Sequence, residues 1–328
     1  MNAPLLSVRG LRKHFPVYDK GFLRKQIGLV RATDDVSFDL MPGETLGIVG
    51  ESGSGKTTAG RTILRAHAPT SGSVIFADGR GDSVDLATLS ENALKPLRQR
   101  MQMIFQDPFS SLNPRMTVRD LVAEPLIIHR LARGDELEDR VVDMLQKVGM
   151  QPEHRMRFPH AFSGGQRQRI GIARALIMHP SLVVCDEAVS ALDVSVQAQV
   201  INLLADLQQE LGLTYIFIAH DLSVVRHICD RVAVMYAGKI VELAPTRQLF
   251  DSPRHPYTQA LLAAVPDPDP DVVMNTALGG EVADPGNLPS GCSFHPRCPL
   301  ATDHCRSDRP ELREIVTDVG VRCHEARA

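Results

Sequence analysis

The stretch Thr45-Leu-Gly-Ile-Val-Gly-Glu-Ser-Gly-Ser-Gly-Lys-Thr57 decides the fold of this chain. Thr45–Val49 is a short apolar run typical of a buried parallel strand, and a helix is predicted from Lys56 to Ala66. The glycines between them let backbone N–H groups turn toward an anion, and the helix N-terminus adds a partial positive charge. A glycine-rich turn between a strand and a helix predicts a phosphate-binding loop.

This turn matches the Walker A pattern, which assigns its residues to a nucleotide. Lys56 supplies a mobile cation for the β- and γ-phosphates, and the Thr57 hydroxyl can ligate Mg²⁺. A plain glycine turn is the alternative, but the strand and helix on either side favour the nucleotide. The predicted nucleotide-binding residues of the loop are Gly50, Ser52, Gly53, Ser54, Gly55, Lys56, Thr57 and Thr58.

Length and composition restrict the class of protein. A chain of 328 residues allows about two domains, and apolar and charged fractions of 43% and 23% exclude a mainly disordered chain. The 36 basic and 39 acidic residues nearly cancel, so no field of the whole chain attracts nucleic acid. No run approaches the ~18 apolar residues of a membrane span, and no signal-peptide core is visible, so a cytosolic chain is expected.

The predicted secondary structure and the composition change along the chain. Strand-like and helix-like segments alternate over roughly the first 250 residues, which predicts an α/β fold with a largely parallel sheet. Between Met116 and Gly149, two helical stretches with charged faces indicate a helical insertion. After Pro266-Asp-Pro-Asp-Pro270, the chain is rich in Pro, Gly and Cys, with no strong core of its own.

Two carboxylates follow another predicted buried strand, Leu182–Cys185. Asp186 and Glu187 therefore lie at the carboxyl end of a strand, where open α/β sheets bind ligands. Asp186 would hold Mg²⁺, and Glu187 could polarise the attacking water as a general base. The alternative is a helix N-terminus, which favours acidic residues because of the helix dipole.

A second glycine turn lies in Phe162-Ser-Gly-Gly-Gln-Arg-Gln-Arg169, before a helix predicted from about Gln166 to Met178. Its serine caps the helix, its glycines clear room for close backbone approach, and the helix N-terminus points at an anion. This turn predicts a second phosphate contact, made by Ser163, Gly164, Gly165 and Gln166.

At this turn the chain resembles the ATP-binding cassette (ABC) ATPases, whose signature usually reads Leu-Ser-Gly-Gly-Gln; here Phe162 replaces the leucine. Gln106, Ser190-Ala-Leu-Asp193 and His220 appear in the family's order, and the match spans roughly residues 5 to 250. The resemblance implies a P-loop NTPase fold of the ABC type. That fold has a mostly parallel sheet with helices on both faces, an antiparallel β subdomain and a helical insertion.

The family's mechanism implies roles for these residues. Gln106 senses Mg²⁺ and the membrane partner, Asp193 crosses a dimer interface, and His220 contacts the γ-phosphate. Taken singly, each also has a plainer interpretation: a surface Gln, a helix-capping Asp, a hydrogen-bonded His. The implied catalytic residues are Lys56, Gln106, Glu187 and His220, and the implied Mg²⁺ ligands are Thr57, Gln106 and Asp186. Two cassettes pack head to tail, so the signature turn of one closes over ATP held by the other.

An aromatic residue before the P-loop stacks on adenine in this family. Phe15 is the best match and Tyr18 the second candidate. Basic residues near them favour a solvated loop over a lipid contact. These basic residues are Lys20, Arg24, Lys25 and Arg31.

Four of the six cysteines lie in the tail: Cys292, Cys298, Cys305 and Cys323. Five, six and seventeen residues separate them, which is wider than the two to four usual at structural zinc sites. From the residues alone, a zinc site, reduced thiols and an iron–sulfur cluster all stay open. The alternative ligands of a mixed site are His295, His304 and His324.

The tail also resembles the C-terminal extension of oligopeptide and dipeptide importer ATPases, through His255–Thr258, Leu261–Pro266 and Gly291–Pro299. With residues 103–115 and 188–199, the chain looks most like the second of the two ATPases in such systems. The resemblance implies a nucleotide-binding domain over 1–250, with a helical subdomain at about 107–165, and an extension over 251–328. It also implies a 4Fe-4S cluster on the four tail cysteines, as in some members.

By this resemblance, the chain is an ATPase subunit of an ABC importer for di- and oligopeptides. Its expected partners are a second ABC ATPase subunit in a heterodimer, two transmembrane permease subunits and an extracytoplasmic substrate-binding protein, with no nucleic acid. The expected location is peripheral, on the cytoplasmic face of the bacterial plasma membrane. The alternative is a soluble nucleic-acid-associated ABC ATPase with a zinc-binding tail. Such proteins usually carry tandem cassettes, long coiled coils or basic patches, and none is visible here.

Overall fold

The computed structural model describes residues 3–19, 25–77, 83–107, 111–264 and 283–327. The strands are β1 Leu6–Tyr18, β2 Gln26–Leu40, β3 Thr45–Val49, β4 Ser71–Ala77, β5 Ser83–Asp85, β6 Met101–Ile104, β7 Leu182–Asp186, β8 Thr214–Ile218, β9 Arg231–Tyr236, β10 Lys239–Pro245, β11 Arg313–Val316 and β12 Val319–Val321. The helices are α1 Lys56–Ile63, α2 Glu91–Leu97, α3 Val118–Ile128, α4 Gly134–Lys147, α5 Gly164–Leu176, α6 Val194–Leu211, α7 Leu222–Ile228, α8 Thr246–Asp251, α9 Pro256–Ala263 and α10 Asp303–Ser307.

The chain forms two compact units. Unit I includes Met41–Thr45 and Leu89–Ile218. Unit II includes Pro4–Leu40, Leu46–Thr88 and Ala219–Ala328. Each unit brings together residues that lie far apart in sequence.

Unit I contains three parallel strands in the order β6-β7-β8. Every residue of β7 and β8 is buried, as expected for short apolar strands covered on both faces. The predicted helical insertion is present as α3 and α4, and Arg119 of α3 forms an ion pair of 2.5 Å with Glu138 of α4. The register pairs Ile104 with Cys185, so β6 and β7 end at the same edge.

Unit II contains two groups of strands. β2-β1-β4-β5 form an antiparallel sheet, which matches the antiparallel subdomain that the resemblance implies. The strands β11-β12-β10-β9-β3 follow one another in a second sheet, where β3 and β9 run parallel and the other neighbours antiparallel. All five residues of β3 are buried, so the strand before the glycine turn lies in the protein interior.

The α/β prediction is confirmed: β3 and β9, β6 and β7, and β7 and β8 pair in parallel, and some neighbouring strands depart from that direction. The departure lies in the C-terminal strands, because two-residue turns such as Ala237-Gly238 join neighbours that must run antiparallel. Pro266–Pro270, Lys20 and Arg24 lie outside the described residues, as does part of the 103–115 segment. Among the described residues, no helix has both the length and the apolar character needed to cross a bilayer.

Candidate functional site

The glycine turn of unit II adopts a backbone that only glycine accommodates. Gly50, Gly53 and Gly55 have φ angles of 147°, 79° and 101°. A Cβ on Gly50 would lie 2.2 Å from the Met235 carbonyl oxygen, and one on Gly55 would lie 1.9 Å from the Ala32 carbonyl oxygen. Both distances are far below van der Waals contact, so these glycines are required by the packing as well as by the backbone angles.

The loop offers hydrogen-bond donors that suit a phosphate. Lys56 is 4% exposed, and its Nζ donates to the carbonyl oxygens of Gly50 at 2.7 Å and Glu51 at 3.0 Å. Ser54 Oγ is buried without a hydrogen-bond partner among the described residues. Gly55 is the N-cap of α1 and has no side chain to accept the helix's first N–H groups. The cradle therefore fits the phosphates of a nucleotide.

Glu51, inside the same loop, is held by residues from far along the chain. Its N–H donates to the Tyr257 hydroxyl at 2.8 Å. Its carboxylate accepts two hydrogen bonds from the Arg297 guanidinium, at 2.8 and 2.9 Å. Sequence alone assigned these three residues no role, although Tyr257 and Arg297 lie within the stretches His255–Thr258 and Gly291–Pro299. The sequence feature that could have indicated this contact is the Glu51 carboxylate within a phosphate loop, because such a carboxylate repels phosphate unless a cation neutralises it.

The acidic pair lies at the end of β7 in unit I, as predicted. Glu187 is 8% exposed and has a φ of 52°, a left-handed conformation that is uncommon outside glycine. Its N–H donates to the Ile218 carbonyl at 2.9 Å, and its own carbonyl accepts from Ser190 N and Oγ at 3.1 and 3.0 Å. The backbone of this carboxylate is thus fixed on both sides.

The structure brings Gln106 and Glu187 together. Gln106 follows β6, and its Nε2 donates to Glu187 Oε2 at 2.6 Å. Because β6 and β7 end at the same edge of the unit I strands, the two side chains meet although they are 81 positions apart in sequence. A buried carboxylate oriented by an amide is an arrangement suited to a general base.

The second glycine turn caps α5 as predicted. Ser163 Oγ accepts from Gln166 N at 3.4 Å, and Gln166 Oε1 accepts from Ser163 N at 3.1 Å, which is a capping box. A Cβ on Gly165 would lie 2.4 Å from Val196 Cγ1, whereas one on Gly164 would make ordinary contact with Leu192. Gly165 is therefore required for packing against α6, a reason the sequence did not reveal.

The remaining predicted contacts are placed as follows. His220 is exposed and precedes α7, whose N-cap Asp221 accepts from Ser223 N at 2.8 Å. Asp193 occupies the N-cap position of α6. Phe15 is half-buried on β1, where its ring meets His67 edge-on at 5.8 Å. Tyr18, the second aromatic candidate, is 51% exposed. The nucleotide roles of these residues stay predictions.

The four tail cysteines are close enough to influence one another. Burial raises the pKa of Cys292 and Cys323 and raises that of Cys298 to about 11; backbone hydrogen bonds oppose this shift, and the charges of neighbouring cysteines add to it. All four are free of disulfides, and Cys292 N donates to the Cys305 carbonyl at 2.9 Å. Burial therefore favours the protonated thiols of Cys292, Cys298 and Cys323.

The four thiols are a donor set that suits a soft metal. Within the described ranges, no three or more His, Cys, Asp or Glu side chains are grouped so as to hold a metal ion. His295 Nδ1 lies 2.9 Å from the Cys292 carbonyl oxygen, and the rings of His304 and His324 lie 4.0 Å apart. The geometry thus gives no support to the predicted 4Fe-4S cluster or to the zinc alternative.

Comparisons with known proteins place the chain in a class. A sequence model described as ABC transporter matches residues 33–190. The chain is 52% identical over 325 residues to a probable peptide ABC transporter ATP-binding protein of Sinorhizobium fredii, covering 99% of this chain and 90% of that protein. The chain belongs to the ABC transporter family, as one of its ATP-binding proteins.

Further matches show which members of the ABC transporter family this chain is similar to. The model described as oligopeptide/dipeptide transporter, C-terminal region, matches residues 241–305. The oligopeptide transport ATP-binding protein AppF of Bacillus subtilis is 51% identical over 324 residues, covering 98% of this chain and 97% of AppF. Within the family, these relatives are ATP-binding proteins of peptide transporters.

A solved structure supports the fold. The dimeric post-hydrolysis state of the ATP-binding cassette MJ0796, bound to ADP and Pi, superposes with a TM-score of 0.64 at 26% identity. The match covers 74% of this chain and 99% of that cassette. The fold prediction of an ABC-type P-loop ATPase is confirmed.

Proposed function

We propose that this chain is the ATP-hydrolysing subunit of an ABC importer for di- and oligopeptides. The observation that carries the ATPase activity is the buried Glu187 carboxylate, fixed by Gln106 Nε2 at 2.6 Å directly after Asp186. The peptide cargo is supported by the two relatives above and by the matched C-terminal region. Nothing in the comparisons favours a nucleic-acid-associated ATPase.

Each side chain has a role in this reaction. Lys56 exchanges its carbonyl partners for the β- and γ-phosphates, because a phosphate oxygen carries more negative charge than a carbonyl. Glu187 accepts the proton of the attacking water, while Gln106 holds its carboxylate. His220 contacts the γ-phosphate in this proposal. When bound, Mg²⁺ neutralises charge on the phosphates, and Thr57, Asp186 and Gln106 are the residues that would hold it.

Transport requires partners. Ser163–Gln166 of one cassette closes over ATP bound by a companion, in a heterodimer with a second ABC ATPase. The capping box between Ser163 and Gln166 supports the proposal, because it holds the turn against the N-terminus of α5, where an anion can bind. Two transmembrane permease subunits and a substrate-binding protein complete the importer. The chain lies at the cytoplasmic face of the inner membrane.

Two finer assignments belong to the same proposal. Phe15 stacks on adenine. The chain consists of a cassette over 1–250 and an extension over 251–328. A 4Fe-4S cluster on the four tail cysteines rests on the resemblance of the extension and on the thiol donor set alone. No step of ATP hydrolysis depends on it.

The cluster proposal has a direct chemical test. Protein purified without oxygen is expected to be brown and to contain about four iron atoms per chain, because four thiolates suit one such cluster. Replacing Cys298 by serine is the matched variant and should remove the iron. Iron-free protein, colourless or loaded with zinc, would contradict the cluster.

The transport proposal is tested by reconstitution. The chain is co-expressed with the membrane subunits and second ATPase of its system, and the purified complex is placed in liposomes with the binding protein. We expect labelled di- or oligopeptide to accumulate only with ATP, and not in the Lys56→Ala variant, which lacks the phosphate cation. ATP hydrolysis without peptide accumulation would leave the ATPase activity standing and refute the cargo.

A further inference from the structure

We propose that Arg297 of the Cys-rich extension is a positioning residue for the phosphate loop, acting through Glu51. The extension would then set the affinity of the nucleotide site, rather than being an independent appendage. This inference rests on the proposal that Gly50–Thr57 holds the ATP phosphates. Arg297, Glu51 and the loop all belong to unit II.

The contact fixes one residue of the loop at three points. Arg297 binds both oxygens of the Glu51 carboxylate, Tyr257 accepts the Glu51 N–H, and Lys56 donates to the Glu51 carbonyl. The same lysine is the predicted phosphate ligand. Arg297 is therefore linked through one residue, Glu51, to the Lys56 ammonium group that binds phosphate. A movement of Arg297 would shift this ammonium group.

Charge gives the pair a purpose beyond packing. Glu51 places a carboxylate inside a loop that must accept a polyanion, and an unpaired carboxylate there would repel ATP. The Arg297 side chain is 4% exposed and the Glu51 side chain 25% exposed, so solvent screens this ion pair only in part. Its two hydrogen bonds to Glu51 raise the pKa of Arg297, with desolvation opposing them. A bidentate pair also restricts the orientation of the carboxylate.

An aromatic cluster keeps the guanidinium in place. The rings of Tyr236, Tyr257 and Phe294 lie 4.7 to 5.4 Å apart, and each of the three is at most 1% exposed. The Arg297 guanidinium lies 5.8 Å from the Tyr236 ring centroid and 5.9 Å from that of Phe294. Phe294 and Arg297 come from the extension, whereas Tyr236 ends β9, so the cluster joins the extension to the strand beside β3.

The test measures ATP affinity in the full chain. We expect Arg297→Gln to raise both the Kd for a fluorescent ATP analogue and the KM for ATP about tenfold, with kcat unchanged. Arg297→Lys keeps the charge but not the bidentate geometry, so a loss of about threefold is expected. The double variant Glu51→Gln/Arg297→Gln removes the unpaired carboxylate and should return to within about threefold of the wild type.

Controls separate this role from general loosening of the extension. Arg322, another extension arginine, pairs with Asp35 at 3.0 Å outside the loop, so Arg322→Gln should leave ATP affinity within about twofold. An equal loss in that variant, an unchanged Arg297→Gln, or a double variant as weak as Arg297→Gln would overturn the proposal. If Arg297→Gln does not fold, Glu51→Gln alone decides: it should bind ATP within about threefold of the wild type, as the double variant does, and a loss near tenfold overturns the proposal. Lys56→Ala tests the phosphate loop separately, since it should lose ATP whatever Arg297 does.

Discussion

Replacing Glu187 by glutamine is expected to slow ATP hydrolysis at least ~10³-fold, about 4 kcal/mol of barrier, without weakening ATP binding. Glutamine has nearly the same shape and keeps an oxygen that can accept the Gln106 Nε2–H bond. It cannot take a proton from water. The backbone bonds to Ile218 and Ser190 involve main-chain atoms of residue 187, so they are unaffected. Turnover by the assembled transporter and equilibrium binding of an ATP analogue measure the two effects.

Glu124→Gln is a suitable control for this substitution. Glu124 is a half-buried carboxylate of unit I that forms an ion pair of 2.6 Å with Arg174, but it lies within α3 rather than at the end of a strand. We expect the rate of ATP hydrolysis by the Glu124→Gln variant to change by less than about threefold. If Glu187→Gln lost only a few-fold in turnover, another group would have to be the general base.

The sequence predicted those parts of the site that depend on neighbouring residues. The phosphate loop needs a buried strand, glycines and a helix start within thirteen residues, and the φ angles of Gly50 and Gly55 show why glycine stands there. Gln106 and Glu187 were each singled out from the sequence, but their contact was not, since it depends on β6 lying beside β7. Local chemistry was sufficient for the phosphate loop alone.

Other parts depend on long-range packing and could not be derived. Arg297 and Glu51 are 246 residues apart, and neither position has a spacing that points to the other. The sequence predicts that Gly165 leaves space for a phosphate to approach the backbone. Its packing against Val196 depends on how α5 and α6 lie together, which the sequence does not show. The spacing of the tail cysteines likewise left their arrangement open. Such contacts follow from the docking of distant segments rather than from a local pattern.

Gly55→Ala is expected to weaken ATP binding at least ~100-fold and to lower the free energy of unfolding by about 3 kcal/mol. The new Cβ would lie 1.9 Å from the Ala32 carbonyl oxygen, and alanine also pays for a φ of 101°. The obstacle is backbone rather than a flexible side chain, so the loop itself must move. That movement displaces the N-terminus of α1 and Lys56, which starts the helix. Calorimetric binding of ATP and denaturant unfolding measure the two losses.

Gly43→Ala separates the clash from the backbone strain. Gly43 also has a positive φ, 79°, but no atom lies within 4 Å of its Cβ position, and it precedes β3 rather than following it. Strain alone should therefore cost about 1 kcal/mol of unfolding free energy and leave ATP affinity within about twofold. If both alanine variants bound ATP equally well, the close approach at Gly55 would not shape the phosphate loop. If both lost ATP equally, the effect would come from general destabilisation, because Gly43 contributes nothing to the cradle.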